Sequence, residues 1–161
     1  MQFGKSFSKM DSLRKNVNIR EAKASDYEAV LDIDTNIYDG FDYLPHMYNY
    51  FLEDPNRICF VLEVNGKVVG YVAIFVMDDG TSAVGQAARI SADHRTGGLW
   101  RRMKSEALAQ TMKKFKIKKI KITTFVKDFA LEKIRIDAVT YNFVLTRVSW
   151  LIYYVHIFNL F

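Results

Sequence analysis

The feature that most constrains the fold of this 161-residue chain is an apolar run followed by a glycine-containing loop and a long helical pattern. The run Ala83–Ile90 predicts a strand, the loop carries Gly97 and Gly98, and a helix is expected from Gly98 to about Phe115. The N–H groups and the dipole of a first helical turn favour an anion, and glycine lets a phosphate approach the backbone. Because short glycine motifs are weak signals, the stretch predicts either a phosphate-binding loop or an ordinary turn before a helix.

Three strands are predicted before and up to this loop. They cover Arg57–Val64, Lys67–Met77 and Thr81–Ile90, with turns at Asn65-Gly66 and Asp78-Asp79-Gly80. An Asn-Gly pair between two apolar runs is a strong hairpin signal. The three runs therefore predict an antiparallel meander that leads directly into the glycine loop.

The N-terminal part begins with an alternating pattern that predicts a strand over Asn16–Ala22. Ser25 and Glu28 have the spacing of a capping box at the start of a helix, and Pro45 suits the first turn of a second helix. Between the two helices, the loop Ile37–Pro45 combines two aspartates with aromatic residues. Either its aromatics pack on the core and its aspartates cap helices, or it faces a substrate, since carboxylates and aromatic rings can hold an amine.

The C-terminal part is predicted to contain three further elements: a strand over Lys116–Thr124, a short helix over Lys127–Lys133 and a strand over Ile134–Thr146. The last stretch, Ser149–Phe161, is almost wholly apolar, but it is shorter than the roughly 20 residues of a membrane span. No membrane span is therefore predicted. The expected organisation is a flexible segment over residues 1–16, one domain over 17–147 and an apolar strand or tail over 148–161.

The charge distribution and the cysteine content indicate the kind of ligand and the compartment. The net charge of +5 is uneven, because residues 101–135 hold 12 Lys and Arg against 3 Asp and Glu. This basic segment indicates an anionic ligand close to it. The single cysteine, Cys59, lies in an apolar run, which predicts a buried side chain and a reducing, cytoplasmic compartment.

The order of the predicted elements resembles that of the GNAT acetyltransferase superfamily. Its motif, Q/R-x-x-G-x-G/A, is matched at Arg95 and Gly98, whereas Trp100 occupies the last position, where the motif has a small residue. A closer similarity is to the histidine N-acetyltransferase-like group, through the segments Ile37–Pro45 and Leu52–Arg57. Members of that group are about twice as long as this chain, which implies a second, C-terminal domain beyond it. The resemblance implies a mixed α/β (α+β) fold, with a mostly antiparallel, twisted sheet flanked by helices.

The resemblance also implies acetyl transfer from acetyl-CoA to a small-molecule amine, such as the α-amine of free histidine. The implied cofactor-binding residues are Ala88, Arg89, Ile90, Arg95, Thr96, Gly97, Gly98, Leu99 and Trp100. The implied acceptor-binding residues are Tyr38, Asp39, Asp42 and Tyr43. No metal site is implied. The cofactor is expected between the strand that precedes the loop and the next strand, where the two splay apart.

The catalytic groups are less well defined. Many members of the superfamily use a glutamate before the loop and a tyrosine near the following helix, but this chain has Gln86 on the strand and no tyrosine over Phe125–Leu131. Asp42, Tyr43 and Gln86 are the candidates that remain. Two alternatives to an active enzyme are a catalytically impaired relative that binds CoA and a module for anionic polymers. The second is disfavoured, and no nucleic acid is expected, because no aromatic residues interleave the basic ones.

Overall fold

The computed structural model of this protein describes residues 16–40, 42–125, 143–149 and 152–158, with the backbone alone for Tyr38, Asp39 and the residues after 121. Within these residues the chain forms seven strands and three α-helices. The strands are β1 Val17–Glu21, β2 Arg57–Val64, β3 Lys67–Met77, β4 Ser82–Ile90, β5 Lys119–Phe125, β6 Phe143–Ser149 and β7 Ile152–Phe158. The helices are α1 Tyr27–Leu31, α2 Leu44–Glu53 and α3 Leu99–Lys114, and short 3-10 turns lie at Ala24–Asp26, Ile37–Gly40 and Ala92–His94.

The chain divides into two compact units, residues 1–73 with 87–108 and residues 74–86 with 109–161. In the first unit the strand order is β1-β2-β3-β4, and β1 pairs with β2 antiparallel from Val17 opposite Val64 to Glu21 opposite Phe60. The turn between β2 and β3 has Asn65 and Gly66 at positive φ, as the hairpin signal requires. The predicted meander and its turns are therefore confirmed.

The sheet of the first unit is covered on both faces, which explains the nearly continuous apolar run of β2. On one face, Leu44, Tyr48 and Phe51 of α2 pack in a buried cluster with Cys59 and Tyr71. On the other face, a Cβ at Gly70 would lie 3.1 Å from both Leu62 Cβ and Met103 Sδ, so glycine permits the close approach of α3. Cys59 is buried as predicted, and burial raises the pKa of its thiol.

The predicted capping box at Ser25 and Glu28 is wrong. The carboxylate of Asp26 accepts a hydrogen bond from the Lys23 N–H at 2.8 Å instead, and it also pairs with the Arg20 guanidinium at 2.7 Å. Arg20 reaches Glu63 of β2 as well, at 2.6 Å. Asp26 thus makes both contacts at once. The spacing of Ser25 and Glu28 did not reveal them, because Arg20 meets Glu63 only when β1 pairs with β2.

Stability of the first unit should consequently depend on pH through this cluster. The Arg20 hydrogen bond chiefly lowers the pKa of Asp26, and hydrogen bonds from Asn18 and Arg20 lower that of Glu63. The contribution of these two carboxylates to stability is thus present at neutral pH and is lost as the pH falls through their folded-state pKa values.

We expect Asp26→Asn to reduce the free energy of unfolding by about 2 kcal/mol at pH 7. In urea titrations the difference from the unmodified chain should shrink in acid. Glu28→Gln is the control, and an equal loss at both pH values would contradict the interpretation.

In the second unit the strand order is β3-β4-β5-β7-β6. The strands β4 and β5 pair in parallel, with Ser82–Val84 opposite Lys119–Lys121, and β7 pairs antiparallel with both β5 and β6. The strand β7 lies within the apolar stretch at the end of the chain. The sheet is mostly antiparallel, so the predicted fold class is confirmed.

Several predictions concern residues outside the described part of the chain. They are the flexible segment up to residue 15, the helix over Lys127–Lys133 and the first part of the strand over Ile134–Thr146, which is seen from Phe143 to Ser149 as β6. None of the helices that the structure describes is long and apolar enough to cross a membrane.

Candidate active site

The glycine loop leaves its backbone open at the start of α3. Gly97 and Gly98 have φ values of +85° and +77°, and a Cβ at either position would meet no described atom within 4 Å. The Arg102 N–H donates to the Gly98 carbonyl at 3.0 Å. Among the described residues, no backbone carbonyl accepts from the N–H groups of Leu99, Trp100 and Arg101, which come before this bond in the helix. The geometry therefore suits an anion at the helix N-terminus.

A cavity of about 280 Å³ lies beside this loop. It is lined by Ala88, Arg89 and Ile90 of β4, by Arg95 and Trp100, and by Asp34 and Ile37. Five of the nine predicted cofactor-binding residues thus lie around one cavity. Of the other four, Thr96, Gly97 and Gly98 are exposed in the adjoining loop, and Leu99 is half-buried.

Arg95 is held by a partner that the sequence did not suggest. Its Nη2 lies 2.8 Å from Asp34 Oδ2, and its Nε donates to the Ile90 carbonyl at 3.3 Å. The guanidinium is therefore directed to the cavity wall at Asp34. Trp100 lies on the same cavity, half-buried, with Lys104 Nζ 5.8 Å from the centroid of its ring.

Asp42 and Arg89 form a two-bond ion pair. Arg89 Nη1 and Nη2 donate to the two carboxylate oxygens of Asp42 at 2.9 and 3.0 Å, and the Arg89 side chain is only 2% exposed. The Leu44 N–H adds a bond at 3.1 Å. Burial by itself raises the pKa of Asp42, but the Arg89 and Leu44 hydrogen bonds outweigh it, so the pKa lies below its usual value.

This pairing bears on two predictions for Asp42. Because its carboxylate is engaged with Arg89, the geometry argues against Asp42 as a general base and as a group that holds a cationic amine. The Arg89 side chain is likewise unavailable to a cofactor, and its main chain is the part that remains. This pair could not be predicted from the sequence, because the two residues are 47 positions apart.

Tyr43 lies against the backbone of β4. Its hydroxyl accepts a hydrogen bond from the Ala87 N–H at 3.0 Å, and the residue is 40% exposed. Ala87 has φ +49°, a left-handed conformation that a residue with a Cβ rarely adopts. The unusual backbone of Ala87 could not be predicted from the sequence, since an alanine does not indicate a positive φ.

Comparisons with known proteins identify the family of this chain. The model of the acetyltransferase (GNAT) family matches residues 20–133, which is well over half of the chain. The chain belongs to this family. Histidine N-acetyltransferase from Oreochromis niloticus is 31% identical over 78 residues, which cover 48% of this chain and 23% of the relative. Probable N-acetyltransferase 16 from Homo sapiens is 33% identical over 78 residues, 48% of this chain and 21% of the relative. The match thus spans less than a quarter of the length of these relatives.

Solved GNAT structures share the fold. Spermidine/spermine N-acetyltransferase SpeG from Vibrio cholerae superposes with a TM-score of 0.63 at 18% identity, over 91% of this chain and 94% of that one. The ribosomal-protein-S18-alanine N-acetyltransferase from Escherichia coli gives 0.67 at 15% identity, over 89% and 95% of the two chains.

The remaining candidate groups of this GNAT chain divide into three cases. Gln86 lies in the second unit, and its Oε1 is buried without a hydrogen-bond partner among the described residues. Glu63, a further potential base, is engaged with Arg20 and Asn18. The side chains of Tyr38 and Asp39 lie outside what the structure describes, so their predicted contact with an acceptor remains a prediction.

Proposed function

We propose that this chain transfers the acetyl group of acetyl-CoA to a small-molecule amine, with the α-amine of a free amino acid such as histidine as the acceptor. The observation that supports this best is the open backbone at Gly97 and Gly98, beside a cavity that β4, Arg95 and Trp100 line. Family membership supports acetyl-CoA as the donor. The choice of histidine depends on the curated relatives alone.

The residues present fit such a donor. The pyrophosphate would bind the N–H groups from Thr96 to Trp100, where no Cβ of Gly97 or Gly98 obstructs the backbone. The Arg95 N–H, which was also predicted to bind it, donates to the Ala92 carbonyl at 3.4 Å instead. The pantetheine arm would follow the main chain of Ala88–Ile90, which lines the cavity. Arg101, Arg102 and Lys104 are exposed on the first turns of α3 and add positive charge close to that loop.

The reaction requires proton transfers and stabilisation of one developing negative charge. A neutral amine attacks the thioester carbonyl carbon, a C–N bond forms, and the C–S bond breaks. The amine loses a proton and the departing CoA thiolate takes one up. The carbonyl oxygen becomes negative during attack, and hydrogen-bond donors directed at it lower the barrier. Because Asp42 is paired with Arg89, other groups of the 37–45 loop would have to hold a cationic amine.

Thermal unfolding in the presence of acetyl-CoA tests donor binding. Acetyl-CoA at 100 times its Kd should stabilise the chain by about 2.7 kcal/mol. An acetyl thioester of N-acetylcysteamine lacks the pyrophosphate and should stabilise it far less at the same concentration. If millimolar acetyl-CoA causes no shift in the unfolding temperature, the proposal is refuted.

The single free cysteine fits a reducing cytoplasm, which we propose as the compartment.

Trp100 gives a separate prediction about the cavity. An indole stands where the family motif has a small residue, and it is half-buried in the cavity wall. In the proposed binding mode the phosphate contact at this position would come from the backbone N–H, which Trp100→Ala retains. We therefore expect Trp100→Ala to bind acetyl-CoA as tightly as the unmodified chain or more tightly, by calorimetric titration. A clear loss of affinity would instead show that the indole contacts the cofactor.

A further inference from the structure

The glycine loop, residues 91–98, begins on a fixed strand and ends in two glycines. At its start the Ser91 N–H donates to the Val69 carbonyl of β3 at 2.8 Å. At its end Gly97 and Gly98 are exposed, with φ values of +85° and +77°. Glycine loses more conformational freedom than any other residue when its backbone is fixed. An anion that binds the N–H groups of this loop must therefore order the two glycines, unless another contact already holds them.

Arg95 connects the loop to another part of the first unit, just before these glycines. Its Nη2 donates to Asp34 Oδ2 at 2.8 Å, and its Nε donates to the Ile90 carbonyl at 3.3 Å. The guanidinium is planar and its donors have a fixed geometry, so two bonds are enough to orient it. The ion pair with Asp34 therefore restrains the backbone from which the two glycines continue.

Asp34 is the better anchored member of this pair. Its Oδ1 accepts a hydrogen bond from the Asn36 N–H at 3.1 Å, and the preceding residue, Ile33, is buried in the core. The Asp34 side chain is 27% exposed, whereas that of Arg95 is 57% exposed. The acid is thus fixed on the folded part of the unit, and the arginine on the exposed loop is the residue that is held.

The position of this carboxylate on the cavity wall is unfavourable for an anionic ligand. Asp34 and Arg95 line the same cavity, beside the loop where the pyrophosphate is proposed to bind. A carboxylate repels phosphate groups, and by charge alone its removal would tighten their binding. If the carboxylate instead holds the loop in shape, its removal weakens binding. The two roles of Asp34 therefore predict effects of opposite sign.

We propose that Asp34 is a positioning residue for the donor, which holds the glycine loop through Arg95 in the conformation that receives the pyrophosphate of acetyl-CoA. This inference depends on the proposed donor site. A loop that is ordered before binding loses less conformational freedom when the ligand arrives, so its affinity is higher. Asp34 acts through Arg95 and contacts neither the phosphates nor the reacting atoms, so its effect is on donor affinity and not on the chemical step.

The first test is the affinity of Asp34→Asn for acetyl-CoA, measured by calorimetric titration of the full chain. The amide oxygen can still accept from the Asn36 N–H, so the variant removes the ion pair and keeps the local turn. We expect affinity to fall about fivefold, which is the upper range for a partly exposed pair. Asp32→Asn is the matched control, because Asp32 is an exposed acid at the end of α1, and it should bind as tightly as the unmodified chain. An Asp34→Asn affinity that is higher than, or within about twofold of, that of the unmodified chain would overturn the inference.

The second test separates positioning from a general effect on folding. With an amine that the unmodified chain acetylates, Asp34→Asn should raise the KM for acetyl-CoA and leave kcat unchanged. The KM for the acetyl thioester of N-acetylcysteamine, which lacks the pyrophosphate, should not change. In an Arg95→Met background Asp34→Asn should have almost no further effect on acetyl-CoA affinity, and equal effects in both backgrounds would overturn the positioning role.

The outcome for the unmodified chain distinguishes this inference from the proposed function. If the unmodified chain does not bind acetyl-CoA, the proposed function and this inference fail together. If it binds acetyl-CoA and Asp34→Asn binds it equally well, only the inference fails.

Discussion

Gly98→Ala is expected to weaken acetyl-CoA binding about tenfold or more, which is about 1.4 kcal/mol, while Gly66→Ala leaves it unchanged. The two glycines are closely matched, with φ values of +77° and +78° and no described atom within 4 Å of an added Cβ. Each substitution forces an L side chain into a left-handed conformation at about 1 kcal/mol. Only Gly98 lies where the pyrophosphate is proposed to bind.

The comparison of these two variants removes the effect of backbone strain. Both should show a similar decrease in the free energy of unfolding, measured in urea at pH 7. Calorimetric titration with acetyl-CoA should then distinguish them. Equal affinities for the two variants would move the pyrophosphate away from the glycine loop, and equal losses would indicate that strain, rather than contact, weakens binding.

Arg89→Met is expected to have the largest effect on stability, a loss of about 3 kcal/mol or more at neutral pH. The variant keeps most of the buried volume. It leaves the Leu44 N–H as the one remaining hydrogen-bond donor to the Asp42 carboxylate among the described residues, in a largely buried position. The double variant Arg89→Met/Asp42→Leu removes both charges and should recover most of the loss. Arg101→Met, on an exposed turn of α3, is the control.

The pH dependence of these variants provides an independent check. In the unmodified chain the pKa of Asp42 is lowered, so the pair stabilises the fold above the usual carboxyl pKa and loses this effect as the pH falls. Without Arg89, burial raises the pKa of Asp42, and Arg89→Met should gain stability relative to the unmodified chain as the pH falls towards 4. A constant difference between the two chains across this range would show that lost packing is the cause.

The local elements were predictable because their signals are local. The turn Asn65-Gly66 set the bounds of β2 and β3, and the alternation of apolar residues located β1. Paired glycines placed the start of α3 to within a residue. In each case the backbone conformation follows from the residues that adopt it.

The site was predictable only in part, because its chemistry depends on long-range pairing. Five predicted residues line one cavity, but the partner of Arg95 is Asp34, 61 positions away, and the partner of Asp42 is Arg89, 47 positions away. A single sequence carries no signal for which acid meets which arginine. The positive φ of Ala87 is set by its surroundings, so composition could not reveal it.

The most direct test of the proposed activity is the transfer of an isotopically labelled acetyl group from acetyl-CoA to an amine, followed by mass spectrometry of the product. Histidine, spermidine and a peptide with an N-terminal alanine should be supplied separately, with Gly98→Ala as the matched control. We predict labelled N-acetylhistidine in proportion to the amount of protein, with less product from Gly98→Ala at limiting acetyl-CoA. Labelled product with another amine instead of histidine would contradict the proposed acceptor, and no labelled product with any amine would contradict acetyl transfer itself.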